Sequence, residues 1–244
     1  MDLPNIDLHT HSVHSDGRNC IRDMIRQAET NGLEAIAITD HYHEIKNLSG
    51  YVNEIREEAK NFSIRVLVGL EIHPTENLTL STIGKETHDI DLVLADPLGK
   101  TSSNLNQLNK KEILEYFADM HERICRNPEV DIIAHPLNLG RFKAIKLFSD
   151  IDSWLLEHLI KEAKKGGKIL EVMSGMSWWY PKSRVDQFTQ EYSAFIKKAL
   201  DEGLKFSIGS DTHCVHGVGN ISWSHNVLKK TGATGNDVIN VEPH

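Results

Sequence analysis

The sequence has few of the features that mark secreted, membrane or thiol-based proteins. Its three cysteines, Cys20, Cys125 and Cys214, are far apart and form no CxxC pair, which argues against a disulfide scaffold or a thiolate zinc site. No apolar run reaches the roughly 18 to 20 residues of a membrane span, and the start of the chain resembles no secretion signal. We therefore expect a cytoplasmic protein that does not associate with membranes.

Basic residues are also in the minority. The chain carries 27 Lys and Arg against 35 Asp and Glu, a formal net charge of -8, and it contains no basic block. This balance argues against a long nucleic-acid partner, although it permits a small basic pocket. The 244 residues show no internal repeat or shift in composition. We expect a single domain over residues 1–244, with residues 234–244 as a candidate tail.

Short β-branched runs alternate with longer segments of helical period, the pattern of an α/β protein with parallel strands. Seven strands are predicted, at residues 6–8, 35–39, 66–70, 91–95, 132–134, 169–172 and 206–208. Helical stripes occur at residues 21–28, 113–124, 156–163 and 188–199. Polar connecting segments occupy residues 72–88 and 97–109.

Histidine, by contrast, is abundant, and much of it lies where a predicted strand ends. The chain has 14 histidines, five of them within the first 43 residues. Metal-type ligands lie in or directly after six predicted strands: His9 and His11, Asp40 and His41, Glu71, His135, Glu171, and Asp211 with His213. Because the carboxyl ends of barrel strands converge on one face, we expect these side chains to meet in one cleft.

The spacing of the paired ligands also fits a metal site. His9 and His11 are two residues apart, which in an extended segment directs both imidazoles to one side, and the same holds for Asp211 and His213. Each element alone has an ordinary explanation, such as a solvated loop histidine or, for Glu71, a surface charge. Their coincidence favours a cleft that binds more than one ion, and mixed imidazole and carboxylate ligands suit zinc, manganese or iron.

These residues resemble a known family. Residues 7–41, with their HTH, SDG and TDH elements, are similar to the opening of the PHP (polymerase and histidinol phosphatase) domain. Later segments resemble its remaining motifs in order: GLEI at 69–72, AHP at 134–136, LEVMS at 170–174 and GSDTH at 209–213. The resemblance implies a distorted barrel of seven βα units, with mostly parallel strands and a metal cluster at their C-terminal ends.

The resemblance also implies two to three divalent ions, of zinc, manganese or iron. One ion would be held by His9, His11, Glu71 and Asp211, and a second by Asp16, His41 and His213. A third would take Glu71, His135 and one further histidine. The segment after the fourth strand, ADPLG, has no histidine. Some members of the family supply the histidine from the loop before that strand, so the resemblance favours His88, with His73 as the reserve.

By resemblance, the protein is a phosphoesterase that hydrolyses a phosphate ester of a small metabolite through a metal-activated hydroxide. We predict that Arg141 binds the phosphate, because a guanidinium fork matches phosphate oxygens, with Arg18 as second choice. His216 is the candidate proton donor to the leaving group. Each of these three residues has an ordinary alternative as an exposed side chain. Glu171 is expected to support the cleft rather than to bind metal.

Other residues near the cleft have less specific predictions. His14 and His43 are candidates for orienting the ligands, and the remaining helical histidines, such as His121, are expected at the surface. The aromatic run at residues 178–181 is either a lid that stacks on substrate or a hydrophobic plug, and we favour the plug. Two other functions remain open: hydrolysis of a C–N bond with the same ions, and a non-catalytic or nucleic-acid-associated PHP module. The sequence leaves the oligomeric state open.

Overall fold

The computed structural model describes residues 2–73, 89–98 and 103–241. Within them, seven strands form one parallel sheet in chain order. Their bounds are β1 Ile6–Asp7, β2 Ala35–Ile38, β3 Arg65–Ile72, β4 Leu92–Ala95, β5 Ile132–Ile133, β6 Ile169–Met173 and β7 Phe206–Gly209. Each predicted strand is present, and the bounds differ from those expected only at the ends.

The sheet curves round until its first and last strands meet. The Leu8 N–H donates to the Ile208 carbonyl at 2.8 Å, and the His11 N–H donates to the Thr212 carbonyl at 2.9 Å. Thr10 and Thr212 form a parallel bridge between these contacts. The predicted distorted (βα)7 barrel is therefore confirmed.

Six α-helices cover the strands in the part of the chain described. They are α1 Ile21–Thr30, α2 Leu48–Ala59, α3 Lys110–Arg126, α4 Ser153–Gly166, α5 Val185–Asp201 and α6 Ser222–Thr231. Four match the predicted stripes, and α1 buries the four apolar residues on which its prediction rests. Helices α2 and α6 had no prediction. None of the helices in these ranges combines the length and apolar character that a membrane crossing requires.

The structure differs from the sequence predictions at His121, and it shows how the C-terminal residues pack. The predicted surface residue His121 is fully buried, and its Nε2 contacts the Leu159 carbonyl at 3.0 Å. The surface prediction is therefore wrong, because residue 121 lies on the face of α3 that packs against α4. The candidate tail packs on the barrel as far as Ile239, whose N–H donates to the Phe206 carbonyl at 2.8 Å. Residues 242–244 lie outside the described residues.

Candidate metal centre

The carboxyl ends of the strands meet at one edge of the barrel, where they surround a cleft of about 440 Å³. The cleft is lined by Asp16, His41, Glu71, His73, Asp96, His135, Arg141, Trp179, Asp211 and His213. His9 and His11 lie fully buried beneath it. Of the nine predicted metal ligands, the structure brings eight together, and the ninth, His88, lies outside the described residues.

Glu71 occupies the centre of this cluster. The residue is 1% exposed, and its Oε2 lies 2.8 Å from His41 Nδ1. The same oxygen lies 3.5 Å from the Nε2 atoms of both His9 and His11. Its other oxygen, Oε1, lies 3.2 Å from His135 Nε2. One carboxylate thus faces four imidazoles, which is the arrangement a bridging ligand requires.

Asp211 completes the first predicted ligand set. Its Oδ1 lies 3.2 Å from His11 Nε2 and 3.5 Å from His9 Nε2. The backbone of Asp211 has a φ of 54°, in the left-handed region, and its N–H donates to the His9 carbonyl at 2.9 Å. A non-glycine residue there is strained, so the surrounding hydrogen bonds must hold it in place.

The second predicted set lies at the outer side of the cleft. Asp16 Oδ1 is 3.1 Å from His213 Nε2 and 3.6 Å from His41 Nε2. Asp16 belongs to a loop that buried Asp40 fixes, since Asp40 accepts hydrogen bonds from the Ser12 N–H at 2.8 Å and the Ser12 hydroxyl at 2.6 Å. The Asp40 carboxylate is therefore an anchor for the loop that presents Asp16.

Several buried atoms of the cluster lack a hydrogen bond of acceptable geometry among the described residues. They are His9 Nε2, both ring nitrogens of His11, His41 Nδ1 and Glu71 Oε2. Buried polar atoms in proteins nearly always have partners, so a convergent group without them indicates a missing one. Imidazole nitrogens and carboxylate oxygens are ligands of zinc, manganese and iron. The residues therefore fit divalent metal ions.

The charges of the cluster are strongly coupled. Burial lowers the pKa of His9, but the carboxylate of Glu171 and its neighbours outweigh this effect and raise the pKa well above its ordinary value. Burial alone would raise the pKa of Glu71, yet the imidazoles around it hold the pKa well below its usual range. The pKa of His135 rises to about 9 against the effect of burial, chiefly because of Asp96. A metal ion would displace such protons.

Glu171 lies on β6 and contacts two of the predicted metal ligands, in line with its predicted supporting role. Its Oε1 lies 2.8 Å from His9 Nδ1, and its Oε2 accepts the His135 backbone N–H at 2.6 Å. A proton on Nδ1 leaves the lone pair of His9 on Nε2, the atom that faces Glu71 and Asp211. Gly209 makes room for this contact, because a Cβ there would lie 2.2 Å from Glu171 Oε1.

Asp96 is a residue of the cleft that the sequence analysis missed. It directly follows β4 and is 4% exposed, with Oδ1 3.8 Å from His135 Nδ1 and Oδ2 4.0 Å from His73 Nδ1. Its signal in the sequence is the same as that of the other ligands, a polar residue at the end of a strand. The resemblance, however, implies a histidine in this part of the site.

The three predicted catalytic residues are placed differently. Arg141 lines the cleft, and its Cζ lies 4.3 Å from the centroid of the Trp179 indole. Arg18 and His216 are exposed and do not line the cleft. The backbone N–H of Arg18 instead donates to the His213 carbonyl at 2.9 Å, which positions a ligand.

The two histidines expected to orient ligands also differ. His14 Nε2 lies 2.9 Å from Glu54 Oε2 on an exposed surface, away from the cluster. The His43 ring lies 4.9 Å from the His73 ring and 5.7 Å from the His41 ring, so it borders the cleft.

The aromatic run after β6 divides by residue. Tyr180 is fully buried and donates its hydroxyl to the Leu137 carbonyl, as a plug would. Trp179 is half-buried beside Arg141, and Trp178 is 78% exposed. Tyr180 therefore packs into the interior, whereas the indole of Trp178 is open to solvent.

A parallel barrel with a histidine and carboxylate cluster at the carboxyl ends of its strands defines a class of metal-dependent hydrolases. The PHP domain family matches residues 7–238, and the chain belongs to this family. The resemblance drawn from the sequence motifs is therefore confirmed.

Individual relatives are distant but cover most of the chain. A probable phosphatase of Thermoanaerobacter sp. (strain X514) is 27% identical over an alignment of 249 positions. The alignment covers 97% of this chain and 90% of the relative. The DNA polymerase/3'-5' exonuclease PolX of Bacillus subtilis is 27% identical over 96% of this chain, which spans only 38% of that protein. The crystal structure of histidinol phosphate phosphatase from Lactococcus lactis, complexed with zinc, L-histidinol and phosphate, has a TM-score of 0.78 and 20% identity and covers 95% of each chain.

Proposed function

We propose that the protein hydrolyses phosphate monoesters of small molecules with divalent metal ions bound in the cleft. The observation that carries this proposal is the convergence of unpartnered imidazole and carboxylate atoms beside Arg141. Relatives of similar length are named phosphatases, which supports the same reaction class. The sequence motifs predict the same class of enzyme, a metal-dependent phosphoesterase.

Two ligand sets would hold two ions. The inner set is His9, His11, Glu71 and Asp211, and the outer set is Asp16, His41 and His213. When bound, such ions supply a hydroxide at neutral pH and neutralise the charge that develops on the phosphate. Glu71 Oε2 lies beside His9 and His11 of the inner set and beside His41 of the outer set, so this carboxylate would be shared by the two sets.

Arg141 is the residue of the chain that would bind the phosphate oxygens. Its guanidinium lies against the Trp179 indole at the wall of the cleft, which restrains an otherwise flexible side chain. A planar guanidinium can donate two parallel hydrogen bonds to a phosphate, whereas a lysine ammonium acts as a point charge. Arg141 would therefore orient the ester so that its phosphorus faces the metal ligands.

The dimensions of the cleft favour a small substrate. Its volume of about 440 Å³ lies in the range of about 300 to 1,000 Å³ that is usual for small-molecule sites. The net charge of -8 disfavours a long nucleic acid. We therefore propose a sugar phosphate, a nucleotide or an amino alcohol phosphate such as histidinol phosphate.

The test is a phosphatase assay on protein purified without added metal and then supplied with zinc, manganese or iron. Release of phosphate from one member of a panel of nucleotides, sugar phosphates and histidinol phosphate is expected. Asp211→Asn should lower kcat/KM by more than about 100-fold, since it weakens the inner ion. Arg141→Lys should cost about 10- to 100-fold through loss of the second hydrogen bond, while exposed Arg18→Lys serves as the matched control.

Two results would overturn the proposal. One is an absence of turnover on every phosphoester, particularly if a cyclic amide is cleaved instead. The other is full activity in Asp211→Asn. Cleavage of oligonucleotide ends in preference to every monoester would favour the nucleic-acid-associated alternative.

A further inference from the structure

The position of Asp96 follows from the register of the sheet. Glu71 on β3 pairs with Leu94 on β4, and Ala95 pairs with Ile133 on β5. Residue 96 is therefore one step beyond the ends of both pairings, between the segments that carry Glu71 and His135. The β4 strand brings a carboxylate to the edge of the barrel between two residues already assigned to the metal cluster.

The carboxylate of Asp96 is buried and has few polar contacts. It is 4% exposed and accepts one backbone hydrogen bond, from the Leu98 N–H at 2.9 Å. Among the described residues, the cationic groups near it are the imidazoles of His135 at 3.8 Å and His73 at 4.0 Å. Both ring nitrogens of His73 lack a hydrogen bond. Neither imidazole lies within hydrogen-bond distance of the carboxylate, and a bound cation would supply a closer countercharge to this buried group.

Three ligand atoms converge at this point. Glu71, Asp96 and His135 each offer one atom, and these atoms lie within 4.8 Å of one another. The resemblance implies a third ion at Glu71 and His135 with one further histidine. We infer that Asp96 supplies the remaining ligand in this chain, and that the resulting site prefers manganese or magnesium to zinc more strongly than the other two sites do. The inference rests on the proposed metal-dependent function, because Glu71 is shared with the inner set.

The preference follows from the ligand types. The inner set contains two imidazoles and two carboxylates, and the outer set contains two imidazoles and one carboxylate. The Asp96 site contains one imidazole and two carboxylates, which makes it the richest of the three in oxygen. Carboxylates suit manganese and magnesium, whereas imidazoles suit zinc and iron. The protein would therefore carry ions of two kinds when both are supplied.

The test measures metal content directly. Protein stripped with a chelator is refilled from a solution of zinc with excess manganese, desalted and analysed for each metal, and bound manganese is observed by electron paramagnetic resonance. We expect one manganese per wild-type chain beside two zinc ions. Asp96→Asn should lose the manganese and keep both zinc ions. Asp96→His should keep three ions but exchange manganese for zinc, because it raises the imidazole count.

The controls separate this inference from the proposed function. Asp119→Asn, which removes an exposed carboxylate paired with Arg123 at 2.9 Å, should leave all metals in place. Unchanged manganese in Asp96→Asn or unchanged metal preference in Asp96→His overturns the third site. A wild-type content of two ions with phosphatase turnover also overturns it and leaves the proposed function standing. If Asp96→Asn does not fold, the exchange in Asp96→His decides the matter.

Discussion

Replacing Glu171 by glutamine tests whether the carboxylate sets the proton position on a buried ligand. Glu171 accepts at both oxygens, from His9 Nδ1 at 2.8 Å and from the His135 backbone N–H at 2.6 Å. Glutamine has one acceptor and one donor in the same shape. Because a backbone N–H can only donate, the amide oxygen must face His135, and the amide NH2 must face His9.

The expected consequence is a change of tautomer at His9. Nδ1 would have to accept the amide hydrogen, so the ring proton would move to Nε2. That atom lies 3.5 Å from both Glu71 Oε2 and Asp211 Oδ1, and a protonated nitrogen cannot bind a cation there. A buried charged hydrogen bond is worth about 1.5 to 3 kcal/mol, which corresponds to about 10- to 150-fold in metal affinity.

The assay is a competitive titration with a chromophoric chelator, run on wild type and variant. The control is Glu54→Gln, which makes the same chemical change at an exposed glutamate 2.9 Å from His14 Nε2. It should leave metal affinity within about twofold, because an exposed pair contributes little. If folded Glu171→Gln binds metal as tightly as wild type, Glu171 does not set the tautomer of His9.

Two further predictions concern packing and pH. Gly209→Ala should weaken metal binding and lower Tm, because the added Cβ would lie 2.2 Å from Glu171 Oε1. The control is Gly32→Ala, where the added Cβ meets no atom within 4 Å. This change costs only the strain of an alanine at a φ of 69°, about 1 kcal/mol, so metal affinity should not change. Burial lowers the pKa of His121 from 6.5 to about 4. Between these values the unfolded chain takes up a proton that the folded protein excludes, so the free energy of unfolding should fall by about 2 kcal/mol at pH 5 relative to neutral pH. Urea unfolding at both pH values should show a smaller loss in His121→Gln, and an equal loss would contradict this assignment.

The strands were predictable because β-branched runs are short and bounded, and their order along the chain is also their order in the sheet. Helix α6 was harder to predict, because its buried face mixes Ser224 and Thr231 with Val227 and Leu228. Helix α2 does carry a stripe, since it buries Tyr51, Val52 and Ile55 at helical spacing, but Gly50 in its first turn weakens the local helical signal.

The metal cluster was predictable for a geometric reason, since the carboxyl ends of parallel strands converge whatever lies between them. Positions in loops were less predictable. Arg18 and His216 lie two and three residues from ligands, yet their side chains are exposed because the backbone turns at these points. Asp96 directly follows β4, but the resemblance implies a histidine rather than a carboxylate in this part of the site.

The seam between the first and last strands links metal capture to protein synthesis. His9 and His11 come from the start of the barrel, whereas Asp211 and His213 come from its end, and the Asp211 N–H donates to the His9 carbonyl across the seam. A nascent chain therefore cannot form the inner site until the ribosome has passed residue 211. An ion at about 100 times its Kd would then stabilise the closed barrel by about 2.7 kcal/mol. A bound metal ion would thus stabilise the barrel only late in folding, once its first and last strands have come together.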